Sequence, residues 1–314
     1  MAHGVLLMAH GVASDVNDIP RYYAHIRGGR PLSAAVQAEL EDRYRSIGGH
    51  SPLPEITARL GQRLSAELDR RQGPGRSRVY VGYRHSAPFI ADALAAMAQD
   101  GIEAATALVL APHYSDMSVG AYIRAGEAGV ATLPQPLDLR YILSWHREPS
   151  LIDLLADRVQ EARQALGTDP MVVFTAHSLP VVILERGDPY PDQVRETGEA
   201  VAAHMALPRY EFAWQSAGRT AEPWLGPDVL DRIRELGSAG EPAVLVCPIG
   251  FVSDHLEVLY DLDIEAKRVA DAAGIRFART RSLNDDPRLA AVLADVLARG
   301  DTRRASETRV GSHA

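Results

Sequence analysis

The chain has 314 residues, 46% apolar and 24% charged, with 33 Lys+Arg against 41 Asp+Glu for a net charge of −8. That length supports about two domains with real cores, and the acidic balance argues against a nucleic-acid-binding face or a polybasic membrane anchor. One cysteine, Cys247, excludes an intramolecular disulfide and a four-cysteine zinc or iron–sulfur site within one chain. The longest apolar runs, such as Ala243 to Val252 with its Pro248, fall well short of the ~20 residues of a spanning helix. No Lys or Arg precedes the short apolar stretch at the N-terminus, so it does not read as a signal peptide, and the expected compartment is the cytoplasm. Lys267 is the single lysine, so any anion clamp must be built from arginine forks.

In chain order, Val5–Ala9, Val79–Gly82, Thr106–Leu110, Met171–Thr175 and Ala243–Val246 read as buried strands. Helix-period stretches alternate with them: Glu55–Arg71, Ile90–Gln99, Leu151–Leu166, Gln193–Ala206, Leu256–Ala273 and Pro287–Ala298. Such alternation predicts an α/β fold with parallel sheets flanked by helices. There is an internal echo. Leu6–Gly11 (LLMAHG) and Val173–Ser178 (VFTAHS) each run an apolar strand into Ala-His and a small residue, and Val109–Ser115 is echoed by Val246–Ser253. This predicts two similar domains, residues 1–140 and 141–300, followed by a polar, disordered tail over 301–314. His10 to Pro112 spans 102 residues and His177 to Pro248 spans 71, so the first half carries about 31 extra. They fit best at about 12–52, after the first strand, at the carboxyl edge of the sheet where open α/β folds bind ligands.

Four stretches carry candidate chemistry. His177, in Ala-His-Ser-Leu-Pro after a strand, can ligate a metal or exchange a proton near neutral pH. Glu257, Asp261 and Glu265 fall at i, i+4 and i+8, which puts three carboxylates on one stripe of a continuous helix. Apolar residues surround that stripe, and a ladder of hard oxygen ligands for a divalent cation would account for carboxylates kept there; a solvated acidic face is the alternative. The 12–52 insertion holds Arg21, Tyr22, Tyr23, His25, Arg27, Arg30, Arg43, Tyr44, Arg45 and Ser51 around glycine turns. Guanidinium forks there suit a planar ligand bearing several carboxylates; the alternative is a solvated arginine-rich loop. Its glycine pairs do not form a dinucleotide fingerprint. Trp214 and Trp224 flank a polar turn, as a packed loop or a ligand wall, while His85 and His113 follow strands and read as structural.

Together these residues resemble the ferrochelatase family, and specifically its soluble bacterial coproporphyrin III enzymes. The resemblance rests on 18–27 (DIPRYYAHIR), 43–53 (RYRSIGGHSPL), 176–180 (AHSLP), 187–193 (GDPYPDQ), 215–220 (QSAGRT), 223–227 (PWLGP) and 250–257 (GFVSDHLE). It implies two Rossmann-like, chelatase-type domains with a porphyrin cleft between them. It implies insertion of Fe²⁺, a substrate, into coproporphyrin III to give coproheme in haem biosynthesis, with His177 and Glu257 as the inner, catalytic metal-handling pair and Asp261 and Glu265 continuing outward. Arg27, Arg43, Tyr44, Ser51 and Tyr122 fall at macrocycle or propionate contacts, and His85 at an outer metal contact of some members. His10 stands where the coproporphyrin enzymes usually carry a tyrosine near the product iron; imidazole is also an iron ligand. No iron–sulfur cluster is expected with Cys247 alone, nor nucleic acid or a membrane span among the partners, while transient contact with neighbouring haem-pathway enzymes fits the resemblance. A protoporphyrin IX ferrochelatase, a chelatase for another tetrapyrrole or metal, and a non-catalytic porphyrin- or haem-binding protein are the alternatives.

Overall fold

The computed structural model describes residues 2–307. The chain divides into two compact units, 1–145 with 284–314, and 146–283. In the first, β1 (His3–Ala9) is followed by α1 (Ile19–Ile26), α2 (Ala34–Ser46), α3 (Leu53–Gln72), β2 (Ser77–Tyr83), α4 (Ile90–Gln99), β3 (Ala104–Val109), α5 (Val119–Val130) and β4 (Asp138–Ile142). The second unit contains α6 (Pro149–Leu166), β5 (Met171–His177), α7 (Val182–Glu185), α8 (Tyr190–Met205), β6 (Tyr210–Gln215), α9 (Val229–Ser238), β7 (Ala243–Cys247), α10 (Leu256–Tyr260), α11 (Lys267–Ala272) and β8 (Arg276–Arg279). The chain then returns to the first unit with α12 (Pro287–Arg299) and β9 (Thr302–Arg303).

The first sheet runs β2-β1-β3-β4-β9 and the second β6-β5-β7-β8. All pairings are parallel except the antiparallel β4–β9 pair. Setting β9 aside, both sheets take their strands in the same order, second, first, third, fourth. That is the topological form of the echo in the sequence. The central strands β1, β5 and β7 are near-continuous apolar runs because both their faces are covered. Leu6, Met8, Leu94, Met97 and Tyr141 lie in the core of the first unit, and Val173, Val244, Val246, Val258 and Leu262 in that of the second.

The observed division departs from the expected one. Strand β4 extends the first unit to Trp145, and α12 belongs to that unit instead of the second. The reason is burial and pairing: Leu289, Val292, Leu293 and Val296 face inward, Arg71 of α3 bonds Asp295 at 2.6 Å, and Arg59 bonds Asp285 at 2.9 Å. Asp286 caps the N-terminus of α12 through the Arg288 amide, with Pro287 at its start, and Gly300 closes it in the left-handed region. The expected tail also departs, since Thr302 and Arg303 pair with Ile142 and Tyr141 and residues 305–307 form a 3₁₀ turn. Residues 308–314 of that tail lie outside the described residues. The 12–52 insertion is built of α1 and α2.

Candidate active site

His177 ends β5, a central strand, at the carboxyl edge of the second sheet. Its backbone carbonyl accepts from the Tyr190 hydroxyl at 2.9 Å, and the next residue, Ser178, is tied to Gln215 and Leu225. The ring's Nδ1 donates to the Ser178 carbonyl at 2.5 Å, which leaves Nε2 3.6 Å from Glu257 Oε2. His255 repeats the arrangement. Its Nδ1 donates to the Ser253 carbonyl at 3.0 Å, and its Nε2 lies 3.5 Å from the same Glu257 oxygen. Glu257 sits in the first turn of α10, directly after the extended His255. One carboxylate oxygen therefore faces two imidazole nitrogens whose partner nitrogens are held by backbone. Two ligand atoms ~2.1 Å from one ion at a tetrahedral angle stand ~3.4 Å apart, close to both spacings.

The charges reinforce one another. Burial works to lower the His177 and His255 pKa values, but the Glu257 carboxylate, the backbone carbonyls and Asp261 outweigh it and raise both. Burial likewise pushes Glu257 up, and the two imidazoles reverse this and hold it well below the usual carboxylate range. The groups remain accessible, with side-chain exposures of 31% for His177, 18% for His255 and 42% for Glu257.

The carboxylate stripe departs from the expected continuous α-helix. Residues Asp261–Ala266 form a π-helical turn between α10 and α11. Wider winding changes the angular step between Asp261 and Glu265, so they do not repeat the α-helical i, i+4 relation. Asp261 is buried and accepts from Ser216 Oγ at 2.5 Å, while Glu265 is half-buried. Asp263 and Asp254 are taken up by Arg279, which grips Asp263 through two bonds of 2.7 Å and approaches Asp254 at 3.3 Å. Among the described residues no group of three or more His, Cys, Asp or Glu closes into a metal-holding set. Cys247 is buried and its thiol pushed up to about 12, so it offers no thiolate.

In the first unit, His10 follows β1 and is exposed. Its Nδ1 lies 2.9 Å from the Tyr22 hydroxyl, and its ring centroid 4.7 Å from that of His85. His85 Nδ1 is 3.0 Å from His25 Nδ1 on α1. Burial, then His10, Arg84 and His25, push His85 down to about 3. Arg27 caps α1 and is exposed, and Arg43 on α2 bonds Glu39 at 3.1 Å. The three other residues expected at macrocycle or propionate contacts are buried. Tyr44 is 1% exposed, the one buried side chain of α2 and hence its anchor. Ser51 is buried and its hydroxyl accepts from the Leu53 amide, and Tyr122 is buried under the Arg84 guanidinium, 5.9 Å from its ring centroid.

The sequence reasoning missed His255, although it stands two residues before Glu257 in the run that carried the resemblance. It missed the roles of Ser216 and Arg279, because partners 45 and 16 residues away leave no local signal.

The ferrochelatase family profile matches residues 2–300. A ferrochelatase of Thermus thermophilus is 44% identical over 93% of this chain and 98% of its own length. A coproporphyrin III ferrochelatase of Anoxybacillus flavithermus is 43% identical over 94% and 95%, and a ferrochelatase of Herpetosiphon aurantiacus 40% over 93% and 97%. Among solved structures, SirB from Bacillus subtilis with Fe³⁺ superposes with a TM-score of 0.60 at 11% identity, covering 98% of each chain. CbiX, described as the terminal enzyme of sirohaem biosynthesis in denitrifying bacteria, does so at 0.57 and 14%, covering 95% of this chain and 99% of its own. At that identity the two share the two-sheet α/β fold. The family match over nearly the whole length, together with relatives at 40–44% identity, shows that this chain belongs to the ferrochelatase family.

Proposed function

We propose that this ferrochelatase inserts Fe²⁺ into coproporphyrin III, with His177 and Glu257 as the catalytic pair and Asp261 and Glu265 on the ion's route. The observation that carries the reading is the Glu257 carboxylate oxygen flanked by His177 Nε2 at 3.6 Å and His255 Nε2 at 3.5 Å. Insertion exchanges one divalent ion for two pyrrole protons, so the site must hold a hydrated cation, take its waters' place and accept protons. Glu257 stays ionised beside the imidazoles and supplies the counter-charge for either task. His177, its Nδ1 fixed on Ser178, receives a pyrrole proton or binds the ion through Nε2. Asp261, held by Ser216, adds negative charge behind both imidazoles.

Arg27 and Arg43 are assigned to propionates of the macrocycle, and His10 to the iron of the product. Tyr44, Ser51 and Tyr122 are likewise assigned to contacts with the macrocycle or its propionates. Four carboxylates on coproporphyrin III, against two on protoporphyrin IX, suit the arginine-rich α1–α2 insertion, and the Anoxybacillus flavithermus relative bears the coproporphyrin name. No helix among the described residues is long and apolar enough to cross a membrane; the reading places the reaction in the cytoplasm.

The test is anaerobic Fe²⁺ insertion with coproporphyrin III and protoporphyrin IX side by side. A kcat/KM at least about tenfold higher for coproporphyrin III, equivalent to ~1.4 kcal/mol, is expected. Equal or reversed values overturn the substrate assignment in favour of protoporphyrin IX. Porphyrin binding without metallation of either ring overturns the enzymatic reading.

A further inference from the structure

The hydrogen bonds around His10 determine where its ring protons sit. The Tyr22 hydroxyl donates to the Gly11 carbonyl at 2.8 Å, and a phenol has one proton to give. His10 Nδ1 lies 2.9 Å from that same hydroxyl oxygen and 3.4 Å from the Gly11 carbonyl. Both oxygens can only accept from it, so Nδ1 carries a hydrogen and the neutral ring keeps its lone pair on Nε2. The opposite tautomer would set the Nδ1 lone pair against oxygen lone pairs.

The frame around this pair is stiff. Tyr22 is 7% exposed, and its ring meets Tyr23 edge-on with centroids 5.2 Å apart. Gly11 has φ of +88°, and a Cβ there would stand 2.4 Å from Ser86 Oγ and 2.9 Å from the Ser86 nitrogen, so the carbonyl that takes the Tyr22 proton has little freedom to move. The backbone on either side is fixed too: the His85 amide donates to the His10 carbonyl, and the Arg84 amide to that of Ala9.

We propose that Tyr22 is a positioning residue, holding His10 as its Nδ1–H tautomer and so making Nε2 the nitrogen that meets a porphyrin-bound iron. This rests on the assignment of His10 to the product iron. An unrestrained imidazole exchanges between tautomers, and only the form with a bare Nε2 ligates through that atom. Tyr22 thus does for His10 what the Ser178 and Ser253 carbonyls do for His177 and His255.

The experiment is nitrogen-15 NMR of the imidazoles in the metal-free full chain, above the pH range in which imidazole titrates. His10 is expected to show a protonated Nδ1 and a bare Nε2, and Tyr22→Phe to shift the population toward Nε2–H. Ferric coproporphyrin titrated into the same proteins and followed by its Soret band supplies a second readout. Tyr22→Phe is expected to bind it about fivefold more weakly, the worth of one hydrogen bond, and His10→Ala to lose the axial-ligand signature. A bare Nδ1 in the unmodified chain overturns the proposal without any variant. So does a Tyr22→Phe protein with tautomer and Soret band unchanged. The expected tautomer together with an unchanged Soret band in His10→Ala overturns the iron assignment while upholding the hydrogen-bond assignment, so the two failures are separable.

Discussion

What the histidines of this protein can do depends on which ring nitrogen each surrenders to its surroundings. His177 and His255 give up Nδ1 to backbone carbonyls and meet Glu257 through Nε2, which raises their affinity for protons and leaves metal-competent nitrogens on one carboxylate. His85 is the opposite case: it is half-buried among His10, His25 and Arg84, and pushed down to about 3 from an ordinary 6.5. The native state therefore resists protonation that the unfolded chain accepts. Between pH 6.5 and about 3 the unfolded state binds more protons at this position, so stability falls as pH falls through that window. His85→Gln removes the group, and urea unfolding of the variant should show a shallower loss of stability across that window than the parent protein; an unchanged slope would contradict the shift. His177 and Glu257 could be picked out from residue type and position, because a histidine after a strand and an acid opening a helix are local features. Tyr44 and Ser51 could not be placed by the same logic. Their type fits a ligand contact, but whether a tyrosine faces solvent or anchors a helix depends on what α2 packs against.

The loop after β7 shows how an element fixes the strand end that carries His177. Gly250 packs so closely on β5 that a Cβ there would stand 2.5 Å from Ala176 Cβ and 2.7 Å from Ala176 Cα, one residue before His177. Its amide also bonds the Thr175 carbonyl. Gly250→Ala must push β5 or the loop aside, at ~1–3 kcal/mol of stability. Displacement of His177 should cost more in rate than in fold, about a hundredfold in kcat. Near-parental kcat with a lowered Tm would show that the close approach serves packing alone. Of the strands visible in the sequence, β1, β3, β5 and β7 are buried on both faces and read as continuous apolar runs, while β2, at the edge of the first sheet, showed only through its apolar Val79–Gly82 segment. β6 and β8 escaped notice because each lies at an edge of its sheet and mixes polar with apolar positions. The π turn at Asp261–Ala266 has no composition of its own; the same residues fit an unbroken α-helix until Arg279 takes Asp263 and Ser216 takes Asp261.

Two sheets with the same strand order account for the repeated strand-Ala-His pattern, which was readable because His10 and His177 follow equivalent strands. The return of the chain after Leu283 was not readable, since nothing local distinguishes a helix that packs on its own unit from one that packs on an earlier one. It has a consequence for folding: α12 contributes buried Leu289, Val292, Leu293 and Val296 to the first unit. A chain ended after Leu283 should lose the cooperative unfolding of residues 1–145 while retaining that of 146–283, as resolved by hydrogen exchange; protection retained in both would contradict that dependence. In the proposed function, activity in turn needs the imidazole at 177 and the carboxylate at 257 to act on a bound porphyrin together. That is decided by anaerobic single-turnover Fe²⁺ insertion with the folded, porphyrin-loaded His177→Ala protein. We expect insertion at least about a hundredfold slower than in the parent, the scale of a lost proton acceptor, with porphyrin affinity little changed; insertion at the parental rate would contradict it.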